Sequence, residues 1–126
     1  MSHITKLALQ MTSMITLKGA LKRMKMEVEE AKAGSSLKLS IGSSRSNNDV
    51  QLKVKGQPIG FNKVNGSIEI VKDFYYAKGL KESEFIKALE TAYTTEFVIG
   101  NAKKEGYTVS KMKVSPNKVT LELSEA

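Results

Sequence analysis

The dipeptide Asn65-Gly66 limits the folds open to this chain more than any other feature. The two-residue turn that suits the twist of paired strands needs positive φ at both central positions, and Asn-Gly adopts it at least cost. Strand-like segments flank it. Ile68 and Ile70 fall on one side and Glu69 and Val71 on the other, while Ile59-Gly60-Phe61 leads in from upstream. Before that, Leu52 and Val54 alternate with Gln51, Lys53 and Lys55, and Gly56-Gln57-Pro58 turns the chain. Segments 50–55, 58–63 and 67–74 therefore predict an antiparallel meander, and the rest of the chain must pack on it.

Two stretches have helical spacing. Met14, Leu17, Leu21 and Met24 recur every three or four residues behind the N-cap candidates Thr12 and Ser13, and cations gather at the far end. This predicts a helix over 13–25 whose methionine stripe faces the core. Ser83 is the expected cap of a second helix carrying Phe85, Ile86, Leu89, Tyr93 and Phe97 on one stripe. Gly100 should interrupt or loosen it, and Gly106 should close it after Lys103 and Lys104. Residues 4–10, 37–41, 107–114 and 118–123 alternate as strands, with Ser115-Pro116-Asn117 turning between the last two. Met26 to Glu29 reads as a strand, with continuation of the first helix as the alternative. The polar run Gly42 to Asp49 lacks any period and is expected to be a mobile loop. The fold class that results is α+β, a two-layer sandwich with two to three helices on one face of a mostly antiparallel sheet. It is expected to form a single domain over 1–126.

Composition removes several classes of function. The chain has 126 residues and no cysteine, which excludes disulfides, thiolate nucleophiles and zinc–sulfur sites. His3 is the one histidine, at the chain's start, so a nucleophile–base pair has little to draw on. No metal and no cofactor is expected. No apolar run approaches the roughly 18 residues of a membrane span, and residues 1–6 lack the order of a secretory signal. A cytoplasmic setting and no membrane partner are the expectations.

The net charge is +7, and among 20 cations only Arg23 and Arg45 are arginines. Lysine gives solubility and a general pull on polyanions, without the planar fork that reads phosphate or guanine. If Leu39, Leu52, Val54, Met112 and Val114 point inward, then Lys38, Lys53, Lys55, Lys111 and Lys113 project outward as a basic sheet face. With Arg45 in the polar loop, these are the candidate polyanion contacts. No aromatics stand among them for base stacking, so only weak, non-specific nucleic-acid binding is open, and a solvated face that discourages aggregation is the plainer reading. Asp73-Phe74-Tyr75-Tyr76 is the candidate protein-binding segment. Asp73 there serves either as a turn or cap residue or as a carboxylate with raised pKa.

The motifs Met1-Ser2-His3, Ile59-Gly60-Phe61, Asn65-Gly66-Ser67-Ile68-Glu69-Ile70-Val71-Lys72-Asp73 and Tyr93…Gly106-Tyr107 follow one another along nearly the whole chain. In this order they resemble the domain of unknown function 1257 family of bacteria, phages, cyanobacteria and plastids. The centre departs from it: Gly34-Ser35-Ser36 and the Ser/Asn-rich run stand where relatives carry an aromatic, glycine-rich stretch with an arginine. The resemblance implies no activity or cofactor. It does imply gene neighbours of AAA-type ATPase kind, and hence an adaptor or assembly role. The residues and the resemblance together lead to a non-enzymatic interaction module, whose partner is another protein or a further copy of the chain. Weak nucleic-acid binding is the alternative.

Overall fold

A computed structural model of the chain describes residues 3–6, 11–41, 46–72, 79–115 and 118–125, with the backbone alone at 3–6, 40–41, 46–48, 114–115 and 118–119. The elements run β1 (His3–Lys6), α1 (Met14–Arg23), β2 (Val28–Glu30), β3 (Leu37–Ile41), β4 (Ser46–Val50), β5 (Leu52–Val54), β6 (Ile59–Val64), β7 (Ser67–Lys72), α2 (Glu82–Lys104), β8 (Tyr107–Ser115) and β9 (Lys118–Glu125). The fold is α+β, and every described strand pair is antiparallel.

The meander forms around its turn. Asn65 and Gly66 take φ values of 51° and 81°, both positive as that turn demands, and Val64 pairs with Ser67 across it. A five-stranded sheet follows, in the order β1-β7-β6-β5-β2, while β3-β4 and β8-β9 are two-stranded ribbons. Ile70, Phe61 and Leu52 stand in one cross-strand row. With Ile59, Val54 and Ile68 they meet Leu17 and Leu21 of α1 and Phe85, Leu89 and Tyr93 of α2 in one buried cluster. The methionine stripe is core, as its spacing implies: Met14 and Met24 pack against this cluster and Met11 lies inside it.

The helices are tied together by polar contacts at defined points. Ser13 caps α1, its hydroxyl accepting from Thr16 N–H at 3.2 Å. The Tyr93 hydroxyl accepts from the N–H groups of Thr12 and Ser13 at 3.1 and 3.0 Å, so α2 supplies partners for the start of α1. Arg23 meets Glu96 at 2.7 Å, and a Cβ on Gly19 would lie 3.0 Å from Glu96 Oε2, so the helices cross where a side chain is missing.

Three expectations for α2 are corrected. Lys81, with extended backbone and no side-chain bond, is the N-cap, and Ser83 sits inside the first turn between Glu82 and Glu84. Acidic residues in that turn complement the helix dipole without a serine cap. Gly100 neither breaks nor ends the helix: buried Thr95 before it and Ala102 after it anchor the helix across a propensity cost of about 1 kcal/mol. Phe97 leaves the core stripe. Steps of four residues turn the helix through more than a full circle each time, so the row Phe85, Leu89, Tyr93, Phe97 drifts and its last member emerges. Gly106, at φ 86°, follows the helix as expected, its N–H donating to Lys103 C=O.

The polar run also differs. Ser46 to Asp49, expected as loop, form strand β4 together with Val50, paired residue for residue with β3; residues 42–45 lie outside the described part. Val50 explains the difference. With Leu39 and Val71 it makes a second small core, on the opposite side of β7 from Ile70. There Val50 presses on bare backbone: a Cβ on Gly60 would lie 2.6 Å from Val50 Cγ1. Leu52, two residues on, belongs to the main core, so the chain turns over at Gln51. Asn62 clamps that bend, its side chain accepting from Gln51 N–H and donating to Asp49 C=O, both at 2.9 Å.

Candidate functional site

The cations proposed to meet polyanions do not share one sheet face. Lys38 is on β3, Lys53 on β5, Lys55 just beyond it, and Lys111 and Lys113 on β8, which are strands of three different sheets. Arg45 lies outside the described residues. Acids also stand opposite several of these lysines. Lys38 pairs with Asp49, and its hydrogen bond and charge hold the Asp49 carboxyl below its ordinary value. Lys53, half-buried, stands opposite Glu29, and Lys111 opposite Glu122. Counting charges along a sequence misses such pairs, since their partners arrive from other strands.

Asp73, Phe74, Tyr75 and Tyr76 lie outside the described residues. Beside them stands a residue that composition gave no reason to single out. Lys72 is only 3% exposed, on the core side of β7 next to Ile59, and its ammonium meets Glu82 in the first turn of α2. This pair ties the end of the meander to the start of the helix. Among the described residues no three His, Cys, Asp or Glu side chains gather as metal ligands, and no helix is long and apolar enough to cross a membrane.

The surface that does stand out is the C-terminal hairpin. Its register pairs Val109 with Leu123 and Met112 with Leu121, which puts these four on one side together with Tyr107. The other side carries Thr108, Lys111, Lys113, Thr120, Glu122 and Ser124, so the ribbon is two-faced. A bulge between Val109 and Lys111 keeps the apolar row in phase. Its extra residue, Ser110, donates its hydroxyl to Glu122 C=O at 2.9 Å.

A ribbon of this composition normally buries its apolar side. Helix α2 packs against both β8 and β9, yet the cover is partial: Tyr107 is 38%, Met112 40% and Leu123 42% exposed, and Phe97 on α2 is 48% exposed. Met112, expected to point into the core, is thus on the apolar side but open to solvent. Of the six large apolar side chains exposed among the described residues, four belong to α2 and this hairpin.

Fold and surface together define a small α+β protein with a well-filled sheet-and-helix core and a half-covered apolar ribbon at its C-terminal end. Residues 20–120 match the family described as "Protein of unknown function (DUF1257)", and the chain belongs to that family. No curated protein and no solved structure matches the chain.

Proposed function

We propose that this chain is a non-enzymatic interaction module, an adaptor that docks another protein on the apolar side of its C-terminal hairpin. One observation carries the reading: Tyr107, Met112 and Leu123 stand open on a ribbon whose sequence is patterned to be buried. The polar side chains give support from the other direction. Tyr93, Ser13, Asn62, Glu96 and Glu82 are each engaged in holding the fold. The setting we infer is the cytoplasm, in keeping with a chain that has no cysteine. Weak binding of nucleic acid draws on the net charge of +7, but acids opposite Lys38, Lys53 and Lys111 leave it less support.

Affinity capture from the native cytosol tests the docking reading, using the natural chain beside a Met112→Lys/Leu123→Lys variant. Both positions are exposed, so the variant keeps its helical circular dichroism. The natural chain should retain a stoichiometric protein partner and the variant should lose it. Equal capture by both, or no partner for either, removes the reading.

A further inference from the structure

We propose that β9 is the contact edge of a homodimer, in which two hairpins join antiparallel into one four-stranded sheet. The inference rests on reading the hairpin as the interaction element, but it uses the strand's edge, whereas docking of another protein uses the apolar side.

The described edges are not equal. An exposed strand edge invites pairing unless it is short, charged or bulged. β1 has four residues and β2 three, and Lys18 pairs with Glu30 of β2 at 2.9 Å. β3 and β4 have five residues each, with Lys38 and Asp49 paired across them. β8 is longer but bulged, and a second copy of β8 laid against it would bring Lys111 and Lys113 near their own counterparts. β9 is neither short nor bulged, although Lys118, Glu122 and Glu125 put charge on it. It runs eight residues, Lys118–Glu125, without glycine, proline or an extra residue, and β8 is its one strand partner among the described residues.

Its sequence is also self-complementary. Paired residues in a sheet share a side, so a two-fold axis must set like parity against like. Centred on Leu121, the axis sets Leu121 against its copy, Val119 against Leu123, Thr120 against Glu122 and Lys118 against Ser124. Apolar meets apolar, and no like charges face each other. Moving the centre to Glu122 opposes two glutamates, and moving it to Leu123 sets Leu121 against Glu125. The backbone allows this centre. Ser110 bonds the Glu122 carbonyl from the β8 side, so by alternation the backbone groups of Leu121 and Leu123 face outward, where a second copy can exchange bonds with them. Joining two ribbons also relieves the marginal stability of a two-stranded sheet.

Thr120 makes the test specific. It is exposed and stands opposite Lys113 in its own hairpin, but opposite Glu122 of the other copy in the dimer. Thr120→Glu therefore helps the hairpin and harms the dimer, while Thr120→Lys does the reverse. Sedimentation equilibrium of the full chain should show a dimer. Its Kd should rise about two- to thirtyfold for Thr120→Glu and fall by a similar factor for Thr120→Lys, since each change acts twice across the axis. A natural chain that stays single at about 100 µM overturns the dimer. So does a dimer whose Kd is unmoved, or moved the same way, by both changes. A single-copy chain that still captures a partner through Met112 and Leu123 loses only the dimer; a dimer that captures nothing loses only the adaptor role.

Discussion

The sheet-and-helix core and the C-terminal hairpin are built from the same pattern, apolar and polar residues in alternation, and they end in different states. In the meander, Ile70, Phe61 and Leu52 are wholly buried because α1 and α2 lie over them. In the hairpin, Met112, Leu121 and Leu123 also share one side, but that side stays partly open, with Met112 and Leu123 exposed. Alternation decides which residues share a side, whereas the supply of neighbouring elements decides whether that side is closed. Where cover runs short, apolar surface is left over, and the proposed docking would use that surface.

The widest gap between the two regions should appear on truncation. Phe61→Ala removes a wholly buried ring from the sheet centre and should cost about 3–5 kcal/mol. Leu123→Ala, at a half-open position, should cost at most about 1 kcal/mol. Urea unfolding of the two variants measures both. Equal losses would mean that the hairpin is as enclosed as the meander, and the contrast between the regions would fail.

The β3-β4 ribbon offers a sharper case, because it too is a two-stranded ribbon yet is locked to the sheet. Its lock is Val50 lying over Gly60. Gly60→Ala forces a methyl group into occupied space and should cost about 1–3 kcal/mol. Val50→Ala in the same chain removes the nearest methyls, so the double variant should lose less than the two single losses combined, by at least about 0.5 kcal/mol. Strict additivity would show that the ribbon rests elsewhere, and that β3-β4 is as loosely held as β8-β9.

Local chemistry made much of this architecture legible in the sequence. Asn65-Gly66 announces its turn because few residue pairs accept positive φ twice, and the Met14–Met24 spacing announces α1 because apolar residues three and four apart fall on one face of a helix. Where the sequence misled, a distant partner decides. Ser46 to Asp49 look like loop until β3 pairs with them and Val50 finds Gly60. Lys72 looks like a surface cation until Glu82 comes round from the next element. Phe97 looks like core until four-residue steps carry it off the stripe. The candidate site was legible only as a two-faced ribbon, since the same alternation in the meander marks residues that are fully covered. The lysines show the same limit, because their number is in the composition but the acids facing them are set by strand register.

The smallest expected effect separates the two ribbons by charge. On β3-β4, Asp49 accepts from the Lys38 ammonium, and that bond, with the attraction between the charges, lowers its pKa. A carboxyl with a depressed folded-state pKa adds stability above the pKa of the unfolded chain, and the gain is lost as pH falls through the folded value. Acid should therefore loosen β3-β4 only below the ordinary aspartate range. Both side chains are more than half exposed, at 67% and 60%, so solvent and salt keep the effect slight. An NMR titration of the Asp49 carboxyl in the natural chain and in Lys38→Met reads it directly. The midpoint should rise in Lys38→Met and should also rise in the natural chain as salt is added, while amide exchange in β8-β9 stays unchanged over the same range. An Asp49 midpoint indifferent to Lys38 would show that the pair does nothing for the ribbon, leaving the contact of Val50 with Gly60 to hold β3-β4 in place.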